Sequence, residues 1–291
     1  MPINYSVKGL KRPNSVVQYT QELVQEYAKC SRDIFHFAEN YYTIIEEKRG
    51  KHIVKLFDYQ KEMIQGFIDD RFKVILSARQ MGKTTCSALY LLWFAMFQPD
   101  KTIGILANKE SIAKSIISEI KTAYLEIPDW LKPGIEKWDQ LELKFDNGSI
   151  IMAGATSEDS FRGESLSVLF LDEFAFVPEN VAEDFFTSAF PTISQGGRMI
   201  IVSTPKGAAG KFYDIYSKAN LENPFKSMKI TWKQHPDRDE KWKETNLKIL
   251  GKVKFAQEHE CAGINTIVRI RDKKSGKIIE LTLGELYESC Q

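Results

Sequence analysis

The stretch SARQMGKTTC, residues 77 to 86, follows the apolar run VIL at residues 74 to 76 and precedes the apolar run ALYLLWFAMF at residues 88 to 97. A short turn of this kind, set between a buried strand and a buried helix, is suited to cradle phosphate. The first amides of the helix have no partner of their own and carry partial positive charge. Gly82 lets backbone amides approach an anion closely, Lys83 can reach the outer phosphates of a nucleoside triphosphate, and the Thr84 hydroxyl can reach a magnesium ion. The pattern is a variant, because Ser77 stands where a glycine is usual, five residues before Gly82. Ser77, Arg79, Gln80, Gly82, Lys83, Thr84 and Thr85 are the candidate nucleotide-binding residues of this loop, with ATP and Mg2+ as the expected ligands.

A phosphate cradle needs partners from other strands. VLFLDEF, residues 168 to 174, places Asp172 and Glu173 at the end of an apolar strand, the edge of an open parallel sheet where ligands sit. Asp172 is expected to hold the metal together with Thr84. Glu173 is the candidate base that orients a water, which favours hydrolysis over transfer to a small acceptor. IIVSTP, residues 200 to 205, ends another strand with Ser203 and Thr204, which either sense the outermost phosphate or form a polar strand exit stopped by proline. Arg79 and Arg162, the latter in SFRGES, are candidates to neutralise transition-state charge from the same chain or a neighbouring one; Arg162 also reads as a solvated surface residue. Tyr59 and Gln60 precede the cradle, and a glutamine amide can pair with the donor and acceptor edge of adenine.

Around these motifs, strand-like runs (KVILS, KTIGILA, SVLFLDE, RMIIVST, KSMKITW) alternate with helical patterns. That rhythm predicts an α/β fold of the P-loop NTPase type, with a mainly parallel sheet flanked by helices. Asn147-Gly148 within LELKFDNGSIIM predicts an antiparallel hairpin insertion. Residues 15 to 45 read as one helix capped by Pro13-Asn14-Ser15, FDYQKEMIQGFID as a second, and DEKWKETNLKILGKVKFAQEHE as a polar helix near the end. TIVRIRDKKSGKIIELT reads as a C-terminal β-hairpin turning at residues 274 to 277. The expected division is an N-terminal helical segment over 1–50, an ATPase core over 51–235, a helical linker over 236–260 and a tail over 261–291.

Composition narrows the classes. The chain has 291 residues, 43% of them hydrophobic, enough to bury a full core. With 40 basic and 39 acidic residues, a net charge of +1 does not advertise a polyanionic partner, so any DNA contact must use a local patch. The longest apolar run is about half of what a bilayer span needs, so no membrane is expected. Four cysteines without CxxC spacing point to a reducing compartment.

CSRDIFHFAENYY, FDYQKEMI, SARQMGKTT, SFRGESLSVLFLDEFAFV and IIVSTPKG, in that order over residues 30 to 210, resemble the ATPase half of a tailed-phage terminase large subunit, the motor that packs double-stranded DNA into a capsid. The resemblance implies Tyr59 and Gln60 at adenine, and Arg79, Gly82, Lys83 and Thr84 at the phosphates. It also implies Asp172 on magnesium, Glu173 as base, and Ser203-Thr204 coupling hydrolysis to movement. The implied partners are double-stranded DNA, a portal ring and a small terminase subunit. The implied setting is a ring of several copies in the cytoplasm of an infected bacterial host. A truncated terminase, a helicase-like DNA-dependent ATPase and a nucleotide-binding assembly module without turnover are the alternative readings.

Terminases of this kind continue into a metal-dependent nuclease domain, and residues 261 to 291 carry no carboxylate cluster that would begin one. From Cys261 the chain instead resembles the opening block of an intein: a cysteine, Asn265-Thr266, Ile267 and Val268, a hairpin, then LGELYE. The resemblance implies that the Cys261 thiol attacks the carbonyl of Glu260 to form a thioester, in a split intein completed by a second chain that carries the nuclease. The competing reading is an ordinary buried thiol.

Overall fold

Thr20, rather than Asn14 or Ser15, starts the first helix: its hydroxyl accepts from the Leu23 amide at 3.4 Å. The computed structural model describes residues 3–157, 159–193, 195–207, 209–261, 267–271, 276–282, 285 and 289. The single N-terminal helix expected from the spacing is two, α1 (Gln21–Arg32) and α2 (Ile34–Tyr41). Asp33 divides them, because its carboxylate accepts from the amides of Phe35 (2.8 Å) and His36 (3.1 Å) and so caps a new helix where the old one ends. Glu26 of α1 then ties the pair together, meeting His36 Nε2 at 2.6 Å and accepting from the Tyr41 hydroxyl at 3.1 Å. The helical expectation also ran too far. Thr43, Ile44 and Ile45 belong to β1 (Thr43–Glu46), which pairs with β2 (Gly50–Ile53) in a hairpin that β-branched residues favour.

Next come α3 (Asp58–Asp69), β3 (Phe72–Ser77), α4 (Lys83–Phe97), β4 (Thr102–Ala107) and α5 (Glu110–Glu126). β5 (Ile135–Trp138), β6 (Glu142–Phe145) and β7 (Ile150–Ala155) follow, with β6 antiparallel to both neighbours, so the hairpin turning at Asn147-Gly148 forms as expected. β8 (Val168–Asp172), α6 (Glu179–Ala189), β9 (Arg198–Ser203), α7 (Gly210–Lys218) and β10 (Lys226–Ile230) complete a sheet of order β10-β3-β9-β8-β4-β7-β6-β5. Every pairing from β10 through β7 is parallel. The α/β expectation of a mainly parallel sheet with helices on both faces is what the chain forms.

Strand pleating explains why both faces are covered. Ile75, Phe170, Ile200 and Val202 point into one core with Phe37, Met63, Phe67 and the buried residues of α4 and α5. Their alternate neighbours Val74, Leu169, Leu171 and Ile201 point into a second core with Phe185 of α6 and Phe212 and Ile215 of α7. α4 is buried on nearly all sides, from Cys86 through Met96, as its unbroken apolar sequence demands.

After β10 the chain forms α8 (Glu240–His259), broken at Gly251, whose φ of 74° and ψ of 162° are not helical. Trp242, Phe255 and His259 of α8 pack with Trp232 in an aromatic cluster. β11 (Ile267–Arg271) and β12 (Ile278–Thr282) make the expected C-terminal hairpin, a sheet of its own. Asn265, Thr266, Lys274 and Ser275, and all of LGELYE except Glu285, lie outside the described residues.

Phe37 joins the N-terminal helices to the core; it is fully buried and meets Phe97 edge-on at 5.6 Å. Phe37→Ala is expected to destabilise the chain by about 3–5 kcal/mol through lost burial and the cavity left behind. A lower denaturant midpoint with an unchanged m-value is the predicted readout.

Candidate functional site: a cleft at the strand ends

β3, β9 and β8 are adjacent and parallel, with Leu76 opposite Ser203 and Val202 opposite Asp172. The loops that follow them therefore open on one edge of the sheet. The loop after β3 turns into α4 through Gly82, whose φ of 73° lies in the left-handed region. A side chain there would also collide with Gln60, since a Cβ would sit 2.3 Å from its Nε2. Gln60 braces the loop: Nε2 donates to the Met81 carbonyl at 3.3 Å, and Oε1 accepts from the Phe57 amide at 3.0 Å. One N–H and one lone pair of its amide remain for another partner.

Lys83, at the first position of α4, is buried and donates to Glu173 Oε1 at 2.7 Å. Glu173 itself sits at a left-handed φ of 49°, an uncommon conformation for a non-glycine residue, which turns its side chain back into the cleft. Its Oε2 accepts from the Thr204 amide at 2.9 Å, the Thr204 hydroxyl at 2.8 Å and the Ser203 hydroxyl at 3.3 Å. Burial opposes ionisation of Glu173, but Lys83 and the bonds from Thr204 outweigh it and hold the carboxyl below its usual value. Asp172, only 6% exposed, is the opposite case: burial pushes its carboxyl up to about 6, Lys83 pulls against that shift, and Glu173 adds to it.

The cleft so formed has a volume of about 520 Å³ and is lined by Arg79, Gln80, Gly82, Lys83, Thr84, Thr85, Glu173 and Thr204. Asn108 at the end of β4 and Glu119 of α5 complete its far wall. A second cavity of about 470 Å³ abuts it, lined by Phe57, Tyr59, Gln60 and His235 among others. Phe57 stacks on Tyr59 at 5.9 Å and meets His235 at 5.0 Å. Two buried polar atoms at these walls have no hydrogen-bond partner among the described residues, Asn108 Oδ1 in the first cleft and the Tyr59 hydroxyl in the second. A buried polar atom left unpaired marks a place where a ligand or water belongs.

Not every candidate faces the cleft in the same way. Ser77 is fully buried and its hydroxyl donates to the neighbouring Ala78 carbonyl, so it belongs to the strand end behind the loop. Arg79 lines the cleft, yet its side chain is 57% exposed and paired with Glu258 of α8, while its amide donates to the Glu258 carbonyl at 3.0 Å. Arg162 is 75% exposed, bonded to Asp159 at 2.9 Å, and lines a separate surface hollow rather than the cleft. Cys261 is buried, and its thiol donates to the Ile230 carbonyl at 3.3 Å; burial pushes that thiol up to about 12.

Sequence reasoning missed Asn108, Glu119, His235 and Arg238. Arg238 donates to the Gln80 carbonyl at 2.9 Å and lies over the Trp242 ring at 4.6 Å, clamping the cradle from outside. No local spacing singles these residues out, because they come from β4, α5 and the segment ahead of α8, far apart in the chain.

Asp172 gives the site a pH signature. A carboxyl raised to about 6 when folded, against about 3.9 when unfolded, makes the nucleotide-free protein lose stability as pH rises between those values. Asp172→Asn is therefore expected to be more stable than the parent above pH 6, by on the order of 3 kcal/mol, and so to melt at a higher temperature, with the gap closing below pH 4. Thermal melts across that range test this.

Comparison with known proteins agrees with the fold. The ATPase domain of the Thermus phage P74-26 large terminase superposes with a TM-score of 0.60 at 20% identity, covering 72% of this chain and 94% of that one. The large terminase of bacteriophage HK97 gives 0.63 at 16% identity, covering 82% and 56%. One from a thermophilic bacteriophage, solved with ADP, gives 0.57 at 16%, covering 74% and 55%. The chain thus spans just over half the length of the latter two. A family model described as "Terminase large subunit, T4likevirus-type, N-terminal" matches residues 74–283, a stretch that runs through the cradle, past Cys261 and across the tail hairpin. The chain belongs to that family of terminase large subunits.

Proposed function

We propose that the cleft binds ATP with magnesium and hydrolyses it, and that hydrolysis drives movement of double-stranded DNA into a capsid. The observation that carries the chemistry is the Lys83–Glu173 pair at 2.7 Å, with Glu173 Oε2 held by the Thr204 amide and hydroxyl. Lys83 at a helix N-terminus is placed for phosphate, and Glu173 lies within reach of whatever Lys83 touches. The donor set fits the metal as well. The oxygen ligands expected at Thr84 and Asp172 suit a hard divalent cation, and Asp172 is a buried carboxyl whose charge is favoured by nearby Lys83. Thr84 and Asp172 would hold magnesium, which when bound neutralises phosphate charge.

Before nucleotide arrives, Lys83 and Thr204 occupy both oxygens of Glu173. Arrival of phosphate gives Lys83 a competing anion, so Oε1 is released to orient a water and accept its proton. Thr204, still bonded to Oε2, keeps the carboxylate aimed and transmits the change to β9. Family membership, and the nucleotide-bound state of the thermophilic-phage relative, support this reading. The partners it implies are duplex DNA, a portal ring and a small terminase subunit, with several copies acting together.

Glu173→Gln is expected to cut ATP hydrolysis by about 100-fold or more while ATP binding stays within about tenfold. Lys83→Ala should lose binding. Radiolabelled phosphate release and calorimetric titration provide the two readouts. A parent protein that binds ATP but never turns it over would favour the assembly-module reading, and strand displacement without duplex translocation would favour the helicase reading.

A second, separable reading is protein splicing from Cys261. Its support is local: the tail hairpin forms its own sheet, with Ile278 64% exposed, as a segment awaiting a partner would. The buried thiol of Cys261 stands against activity of this chain alone, since the thiolate is the nucleophile. Iodoacetamide is therefore expected to alkylate Cys261 at pH 8 far more slowly than a free thiol. Splicing on mixing with a complementary chain would join the Glu260 carbonyl to that chain's downstream segment and release residues 261–291, and an unchanged mass would remove the idea.

A further inference from the structure

The two cavities at the cradle meet along a short passage, and Gln80, Gly82, Thr85 and Glu119 line both. Among them Glu119 is the only charged group. It projects from a face of α5 whose neighbours Ile116, Ile117, Ile120 and Ala123 are buried, and it is bonded to the Thr85 side chain. Among the described residues no cation forms an ion pair with it. A carboxylate held half-buried without a counter-ion is costly, so something must favour keeping it there.

The geometry of a bound nucleotide supplies the reason. If the triphosphate lies along the loop at Lys83, Thr85 in the same first turn of α4 flanks its inner end. The aromatic cavity of Phe57, Tyr59 and His235, with the unpartnered Tyr59 hydroxyl in its wall, then receives the base. Tyr59 is 4% exposed, so its hydroxyl has no solvent to turn to. The sugar must occupy the passage between the cavities, and Glu119 is the anionic acceptor in its wall. A ribose presents two adjacent hydroxyl donors, and a carboxylate presents two acceptor oxygens, the same match by which acidic residues read ribose in dinucleotide sites.

We propose that Glu119 is a specificity residue that accepts the ribose hydroxyls of the nucleotide, making the cleft selective for ribonucleoside over deoxyribonucleoside triphosphates. This rests on the nucleotide reading of the cleft and adds to it a role for a residue on α5, outside every motif of the sequence. Thr85 orients the carboxylate from the phosphate side. Asp172, which lies close enough to add to the retained proton affinity of Glu119, is the other acidic neighbour facing it.

The test is calorimetric titration of the full chain with ATP, 2′-deoxyATP and 3′-deoxyATP in the presence of magnesium, using Glu173→Gln throughout to stop turnover. The expected result is that ATP binds about tenfold more tightly than either deoxynucleotide, the loss of one charged hydrogen bond. Adding Glu119→Ala should bring the three within about twofold of one another, with Glu119→Gln intermediate. Equal affinities without any change at Glu119 would overturn the inference while leaving the ATP site standing. A Glu119→Ala protein that loses all three ligands equally would overturn it too, since the residue would then serve the phosphates or the fold. Should Glu119→Ala not fold, the near-isosteric Glu119→Gln, checked by its thermal melt, decides by whether the preference for ATP shrinks. No binding of any nucleotide to the parent protein would instead strike at the proposed function itself.

Discussion

A lysine at the start of α4 and a glutamate just past β8, 2.7 Å apart at the carboxyl edge of a parallel sheet, are the constraint around which this molecule is arranged. Neither could be buried alone, because an unpaired charge away from water is expensive. Keeping them together requires that β3 and β8 end at the same level with β9 between them, and the register delivers this. The sheet in turn needs helices on both faces, since strands buried on two sides have no polar face to show to water. Thr204, from the strand in between, completes the arrangement with two bonds to Glu173.

The cradle is also held from outside the core. Gln60 of α3 fills the space that a side chain at residue 82 would need, while Arg238 holds the Gln80 carbonyl and Glu258 of α8 pairs with Arg79. Gln257 of the same helix donates to the Pro205 carbonyl, just past Thr204. The last long helix therefore touches both the phosphate loop and the loop that holds Glu173. A change in either loop is felt by α8 through direct hydrogen bonds, and α8 leads into the tail.

Much of the site was legible because its chemistry is local. Gly82, Lys83 and Thr84 must follow one another at a helix start, and Asp172 and Glu173 must follow an apolar strand, so spacing alone exposes them. Arg79 and Arg162 were less legible, since an arginine reaches several partners from one backbone position: the first lines the cleft while paired with Glu258, and the second pairs with Asp159 outside it. Helix boundaries failed where a side chain competes for backbone amides, as Asp33 does between α1 and α2, and where β-branched residues at 43 to 45 had joined a helical pattern. Cys261 read as a nucleophile ahead of an ordinary buried thiol, and burial against the Ile230 carbonyl gives it the second character within this chain.

By itself the sequence determined the alternation of strands and helices, the glycine-lysine turn ahead of a helix and the acidic pair at a strand end, because each depends on neighbours a few residues away. Only the tertiary structure decided which residues from distant elements share the cleft. Asn108 comes from the end of β4, Glu119 from two turns into α5, and His235 from the loop after β10. Their meeting is set by strand order and helix packing, long-range consequences of burying two apolar sheet faces, and no period or motif along the chain encodes them.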